Sequence, residues 1–153
     1  MLFSAPPPKT VSHADGHSTS RRSPRKHKPK VLIVEDHEDT REMLRTILEM
    51  KGCQVFEAGD GLEAVELAGR ERPDLILMDG SLPLLDGLQA TRRIREDVLL
   101  REVFIVALNG WGTPSFNIAA MEAGCDECLV KPIDFELLER HLIPFLQRPS
   151  RAA

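Results

Sequence analysis

With 153 residues, 42% of them hydrophobic and 29% charged, the chain has enough apolar material for one core and enough charge to stay in solution, which suits a single domain with tails. No apolar run approaches the ~18 residues that span a bilayer, and the N-terminus "MLFSAPPPKT" lacks a charged segment followed by an apolar one, so neither membrane insertion nor a secretory signal is expected. The three cysteines are an odd number and cannot all pair, which points to a reduced, cytoplasmic compartment.

The net charge of −4 divides unevenly along the chain. Residues 1–30 carry seven Lys or Arg and one acid, Asp15, whereas residues 31–153 carry thirteen Lys or Arg and twenty-three acids. The first stretch is rich in Pro, Ser, His and basic residues. It holds almost no periodic apolar positions, so burial cannot offset its ordering entropy. The composition predicts a disordered tail over 1–29, with a second short disordered end over 149–153. The basic end of the tail, "RRSPRKHKPK", offers charge to nucleic acid or a membrane surface. No aromatic residue is interleaved there for base stacking, and a solvated tail is the favoured reading, without a nucleic-acid partner.

From Lys30 the pattern changes. "VLIV" (31–34) is a continuous apolar run ended by acids, as in a strand of a parallel sheet buried on both faces. Met43, Leu44, Ile47 and Leu48 then recur at helical spacing, and Gly52 sits where a C-terminal cap belongs. "CQVFEA" (53–58) reads as a second strand, after which Asp60 N-caps a helix with Leu62, Val65 and Ala68 on one face. "DLILM" (74–78) is the third strand. A helix over about 87–97 follows it, with Leu88, Thr91 and Ile94 inward and Arg92, Arg93 and Arg95 mostly outward. "VFIVAL" (103–108) is the fourth strand, and Thr113-Pro114 opens a helix through Ile118, Ala119 and Met121 to Gly124. "ECLV" (127–130) is the fifth strand. The last helix starts at Asp134, carries Phe135, Leu138, Leu142 and Phe145 as its apolar stripe, and should kink or shorten at Pro144. Five alternations of strand and helix with short connections predict an α/β fold with a doubly wound, five-stranded parallel sheet.

In such a sheet, sites form outside the carboxyl ends of the strands. Glu35 and Asp36 follow the first strand, Asp79 the third, Asn109 the fourth and Lys131 the fifth. Taken singly, each has a plain structural reading. "EDHED" can simply begin a helix with favourable dipole charges, and Lys-Pro can be a loop. Together they converge on one edge. Three carboxylates within a few ångström cannot all ionise unaided, and a hard divalent cation such as Mg²⁺ resolves the repulsion. A carboxylate held beside Mg²⁺ and Lys can attack a phosphoryl group, which points to an aspartyl phosphate.

The stretches "VLIVEDHEDTRE", "LILMDGSLPLLDG", "VFIVALNGWG" and "CLVKPID" resemble the receiver domains of two-component response regulators, over roughly residues 30–147. The region "ALNGWGTPS…AMEAGCDECLVKP" is most similar to receivers attached to, or working with, hybrid histidine kinases. The resemblance implies the flavodoxin-like (βα)5 receiver fold over 30–148. It also implies that Asp79 is the phosphoacceptor, that Asp36 ligates Mg²⁺ directly, and that Glu35 acts through metal-bound water. Ser81 would complete the metal shell with its backbone carbonyl, and Lys131 would pair with the phosphoryl group across a cis peptide to Pro132. Pro83, Asp86 and Gly87 match the turn after the acceptor.

The chain departs from the family pattern at two positions. Asn109 stands where the family normally has Thr or Ser, and Cys128 stands where it often has Tyr or Phe. An Asn amide can still donate to phosphate, but the chain has no Tyr, and the coupled hydroxyl-aromatic switch cannot operate in its usual form. Cys125 and Cys128 form a C-x-x-C with no partner pair at zinc spacing, most simply an incidental pattern. His141 is not a phosphohistidine donor, since such modules are helical bundles. His37 reads as a solvated residue at a helix start, and His13, His17 and His27 lack metal-site spacing. Trp111, two residues after Asn109, borders the expected site or is simply an exposed loop residue.

The sequence therefore predicts a stand-alone receiver and signalling phosphoacceptor, which catalyses only its own phosphorylation and dephosphorylation. A histidine kinase or a histidine phosphotransfer protein would be its phosphoryl donor, and protein contact or onward phosphotransfer its output. Two alternatives stay open: a non-switching receiver-like adaptor, and a regulator that touches DNA through its basic tail.

Overall fold

The computed structural model describes residues 28–82, 85–110 and 112–147. The elements run in chain order as β1 (Lys30–Val34), α1 (Glu38–Met50), β2 (Gln54–Ala58), α2 (Gly61–Glu71), β3 (Leu75–Asp79), α3 (Gly87–Glu96), a short 3-10 turn (Val98–Leu100), β4 (Phe104–Asn109), α4 (Pro114–Ala123), β5 (Glu127–Val130) and α5 (Phe135–Leu146). All strand pairs are parallel and the sheet order is β2-β1-β3-β4-β5, the doubly wound α/β arrangement. The chain reverses its direction of travel between β1 and β3, and this is where such sheets open a crevice.

The central strands β1, β3 and β4 are largely apolar because both faces of the sheet are covered there. One face carries Leu32, Val34, Ile76, Met78, Ile105 and Ala107 against α2, α3 and α4. The other carries Val31, Ile33, Leu75, Leu77, Val106 and Leu108 against α1 and α5, through Leu44, Leu48, Leu138, Leu142 and Phe145. Among the described residues, no helix is long and apolar enough to cross a membrane.

The helix boundaries follow local chemistry. Asp60 accepts a hydrogen bond from Glu63 N at 2.8 Å, Asp86 from Gln89 N at 2.8 Å, and Asp134 from Glu136 N at 3.0 Å. Gly52 and Gly124 end α1 and α4 with positive φ.

Several inward faces differ from the periodic reading. In α2 the buried face is Gly61, Ala64 and Ala68, and Leu62 is exposed. The cause is close approach, since a Cβ on Gly61 would overlap the backbone of Leu85. In α4, Ala120 and Ala123 face inward and Ile118 and Met121 are exposed. Phe135 at the start of α5 is also exposed, and α5 runs on past Pro144 to Leu146.

Arg95 is not outward. Its guanidinium donates to the carbonyls of Gly124, Leu100 and Val103 at 2.9, 3.1 and 2.7 Å, and pairs with Asp126 at 2.8 Å. Those carbonyls lie at the ends of elements with no ladder partner, and a long side chain satisfies them together. At the other end, Pro29 is buried and its carbonyl accepts from Gln54 N at 2.8 Å. The expected tail up to residue 27 and the expected C-terminal end lie outside the described residues.

Candidate functional site

The carboxyl edge of the sheet brings the expected acids and the lysine together. Glu35 is the first residue after β1, and its N–H donates to Ala58 O at 3.0 Å, which ties it to the end of β2. Its side chain is fully buried. Asp79 is the last residue of β3 and sits opposite Leu108 of β4, so the strand includes the acid instead of stopping before it. Asn109 likewise ends β4 inside the ladder, opposite Val130, and is buried.

Lys131 follows β5, and its N–H donates to Asn109 O at 2.8 Å. Its Nζ lies 3.0 Å from Glu35 Oε2 and 3.2 Å from Asp79 Oδ2. One ammonium thus bridges carboxylates that are far apart in sequence. The Lys131–Pro132 peptide is cis, as the resemblance implied. Asp79 Oδ1 accepts from Ser81 N at 3.1 Å, a local turn that fixes the carboxylate plane. Asp36 is exposed at the mouth. Arg41 donates to Glu35 O at 2.9 Å, holding the β1–α1 turn from the side.

These residues open onto a cleft of about 420 Å³ lined by Asp36, His37, Asp79, Ser81, Asn109 and Lys131, among others. Phe116, in the first turn of α4, also lines it, and its ring lies so close to Gly80 that a Cβ there would overlap it. Sequence reasoning did not single out Phe116. Its spacing of four and seven residues from Ala120 and Ala123 was the available signal. Pro83 and Trp111, expected beside the site, lie outside the described residues.

Burial raises the Glu35 carboxyl above its ordinary value, and the Asp79 charge adds to this, against the hydrogen bond from Lys131. For Lys131, burial pulls downward, but the hydrogen bond to Glu35 and the two carboxylate charges outweigh it and leave the ammonium above its ordinary value.

The Glu35 shift has a sign in stability. A carboxyl whose folded pKa is raised contributes stability that is fully present below its unfolded value of 4.5 and is lost as pH rises through the folded value. Glu35→Gln, which does not titrate, should therefore gain stability relative to wild type as pH rises above 4.5 in the absence of divalent cations. Urea unfolding in a chelator across that range tests this, and a difference between the two proteins that stays constant with pH refutes it.

The cysteines do not form a reactive pair. Cys125 is buried, which pushes its thiol up to about 11, and burial also raises Cys128. His141 packs against Phe104 with ring centroids 5.9 Å apart, away from the cleft.

Comparison with known proteins agrees with this fold. The family model for the response regulator receiver domain matches residues 31–143. The probable transcriptional regulator ycf27 of Guillardia theta is 38% identical over 82% of this chain, which spans about half (48%) of that relative's length. The polar-differentiation response regulator DivK of Brucella anthropi is 36% identical, covering 67% of this chain and 84% of its own. Among solved structures, the receiver domain of a sensor histidine kinase from Pseudomonas aeruginosa, with a magnesium ion coordinated in its active-site cleft, is 35% identical with a TM-score of 0.72, covering 78% of this chain and 98% of its own. The chemotaxis response regulator CheY4 of Vibrio cholerae is 29% identical with a TM-score of 0.71, covering 76% of this chain and 98% of its own. The chain belongs to the response regulator receiver domain family.

Proposed function

We propose that this receiver domain accepts a phosphoryl group on Asp79 from a histidine kinase or a histidine phosphotransfer protein, in the presence of Mg²⁺. The observation that carries the reading is the bridge of Lys131 to both Glu35 and Asp79 at the edge of an open cleft. With Asp36 counted, three carboxylates face one ammonium, and a divalent cation fits the excess charge. The donors are oxygens, the class that Mg²⁺ takes. Asp36, Asp79 and Glu35 would hold it with the Ser81 carbonyl, and Mg²⁺ when bound would neutralise the oxygens of the transferring phosphoryl group.

The rest of the chemistry lies with the chain. An Asp79 carboxylate oxygen attacks phosphorus, and the bond from phosphorus to the donor's imidazole nitrogen breaks, leaving its electron pair on that nitrogen. Lys131 compensates charge on a phosphoryl oxygen, and the Asn109 amide is a donor for another. The added charge then biases the loops after β4 and β5 and the surface of the last two α/β units, with output by protein contact or onward phosphotransfer. The domain acts on itself and not on a turnover substrate. A cytoplasmic setting goes with this reading, supported by three free cysteines.

Incubation with Mg²⁺ and acetyl phosphate is expected to give one phosphoryl adduct by intact-mass spectrometry. Asp79→Asn should abolish it, and an adduct that survives this change overturns the assignment.

A further inference from the structure

His37 occupies the N-cap position of α1, yet its side chain makes no capping hydrogen bond. The residue is exposed. Its backbone N–H donates to Glu35 Oε1 at 3.3 Å, which turns it back toward the acids. One ring nitrogen of His37 and one carboxylate oxygen each of Glu35 and Asp36 lie within 4.8 Å of one another. Lys131 engages Glu35 Oε2, so Oε1 is the oxygen on the His37 side. His37 also lines the same cleft as Asp79 and Asn109.

An all-oxygen site suits Mg²⁺, which keeps most of its waters and has little affinity for imidazole. A neutral imidazole at the rim adds a borderline donor, which first-row transition cations favour over oxygen alone. The His37 carbonyl accepts from Arg41 N at 2.9 Å to start α1, while its imidazole makes no capping bond.

We propose that His37 is an inner-sphere ligand for first-row transition cations such as Co²⁺, joining Glu35 and Asp36 in the acidic cleft, so that the site prefers these ions to Mg²⁺. This rests on the cation reading of the cleft given above. With Mg²⁺ the imidazole stays outside the metal shell.

Calorimetric titration of the full chain with Co²⁺ and with Mg²⁺ tests this. The Co²⁺ component displaced by Mg²⁺ is followed, which separates the cleft from histidines elsewhere in the chain. Wild type should bind Co²⁺ at least about tenfold more tightly than Mg²⁺, and His37→Ala should lose about tenfold in Co²⁺ affinity while holding Mg²⁺ within about twofold. An unchanged ratio of the two affinities in His37→Ala overturns the assignment and leaves the cation site standing. Equal loss of both ions in His37→Ala also overturns it, because His37 would then support the site without selecting the ion. Absence of Mg²⁺ binding in wild type removes the cation site and this inference together.

Discussion

Gly87→Ala is expected to unfold the domain, or to leave it so destabilised that β3 loses its place. A Cβ on Gly87 would overlap the carbonyl oxygen of Asp79 and lie 2.9 Å from its carbonyl carbon. These are backbone atoms of β3 at the centre of the sheet, flanked by β1 and β4, so neither partner can swing aside. Overpacking a rigid contact of this kind costs about 3 kcal/mol or more. Gly69→Ala on α2 is the matched control. Nothing lies within 4 Å of its Cβ, and alanine in a helix interior is favoured by roughly 0.5–1 kcal/mol. Urea unfolding of the two variants should move in opposite directions from wild type. A Gly87→Ala protein as stable as wild type would mean that α3 does not press on Asp79.

That contact shows what the sequence made legible and what it did not. The central strands could be read because β1, β3 and β4 are built on continuous apolar runs, and the helices because Gly, Asp and Pro punctuate them. The site could be read because five polar residues fall at the ends of four predicted strands, and the sheet order then brings Glu35, Asp79 and Lys131 into contact.

Packing distance was hidden. Apolar periodicity put Leu62 on the shared face of α2 and traced α4 through Ile118 and Met121, yet the buried positions are Gly61, Ala64, Ala120 and Ala123, with Gly61 pressed against the backbone of Leu85. Small residues carry a weak hydrophobic signal, so spacing alone favours their larger neighbours. Arg95 was hidden for a related reason. Charge predicts exposure, but unladdered carbonyls at the ends of three elements gather a guanidinium that can serve all of them. Phe116 was missed because its contact is with Gly80, a residue with no side chain to announce it.

Lys131→Met is expected to show how much of the site depends on one charge. Glu35 is fully buried and Asp79 nearly so, and both rest on the same ammonium. Removing one partner of a fully buried pair costs about 3–5 kcal/mol. The Lys131 side chain is 26% exposed, so water screens part of its field, and a loss of about 2 kcal/mol is expected near neutral pH without divalent cations. Added Mg²⁺ should recover much of that loss in the variant, because a cation among Glu35, Asp36 and Asp79 supplies the missing charge by a different route. The same ion should stabilise wild type less, since there the ammonium already neutralises one carboxylate. Phosphorylation by acetyl phosphate should nevertheless stay slow, by roughly a hundredfold, since the metal does not replace a donor aimed at the transferring oxygens. Recovery of stability without recovery of rate separates the two roles of Lys131. The first is to hold the resting acids together, and the second, in the function proposed above, is to meet the charge that develops on the phosphoryl group. A variant that phosphorylates at the wild-type rate would confine Lys131 to the first role.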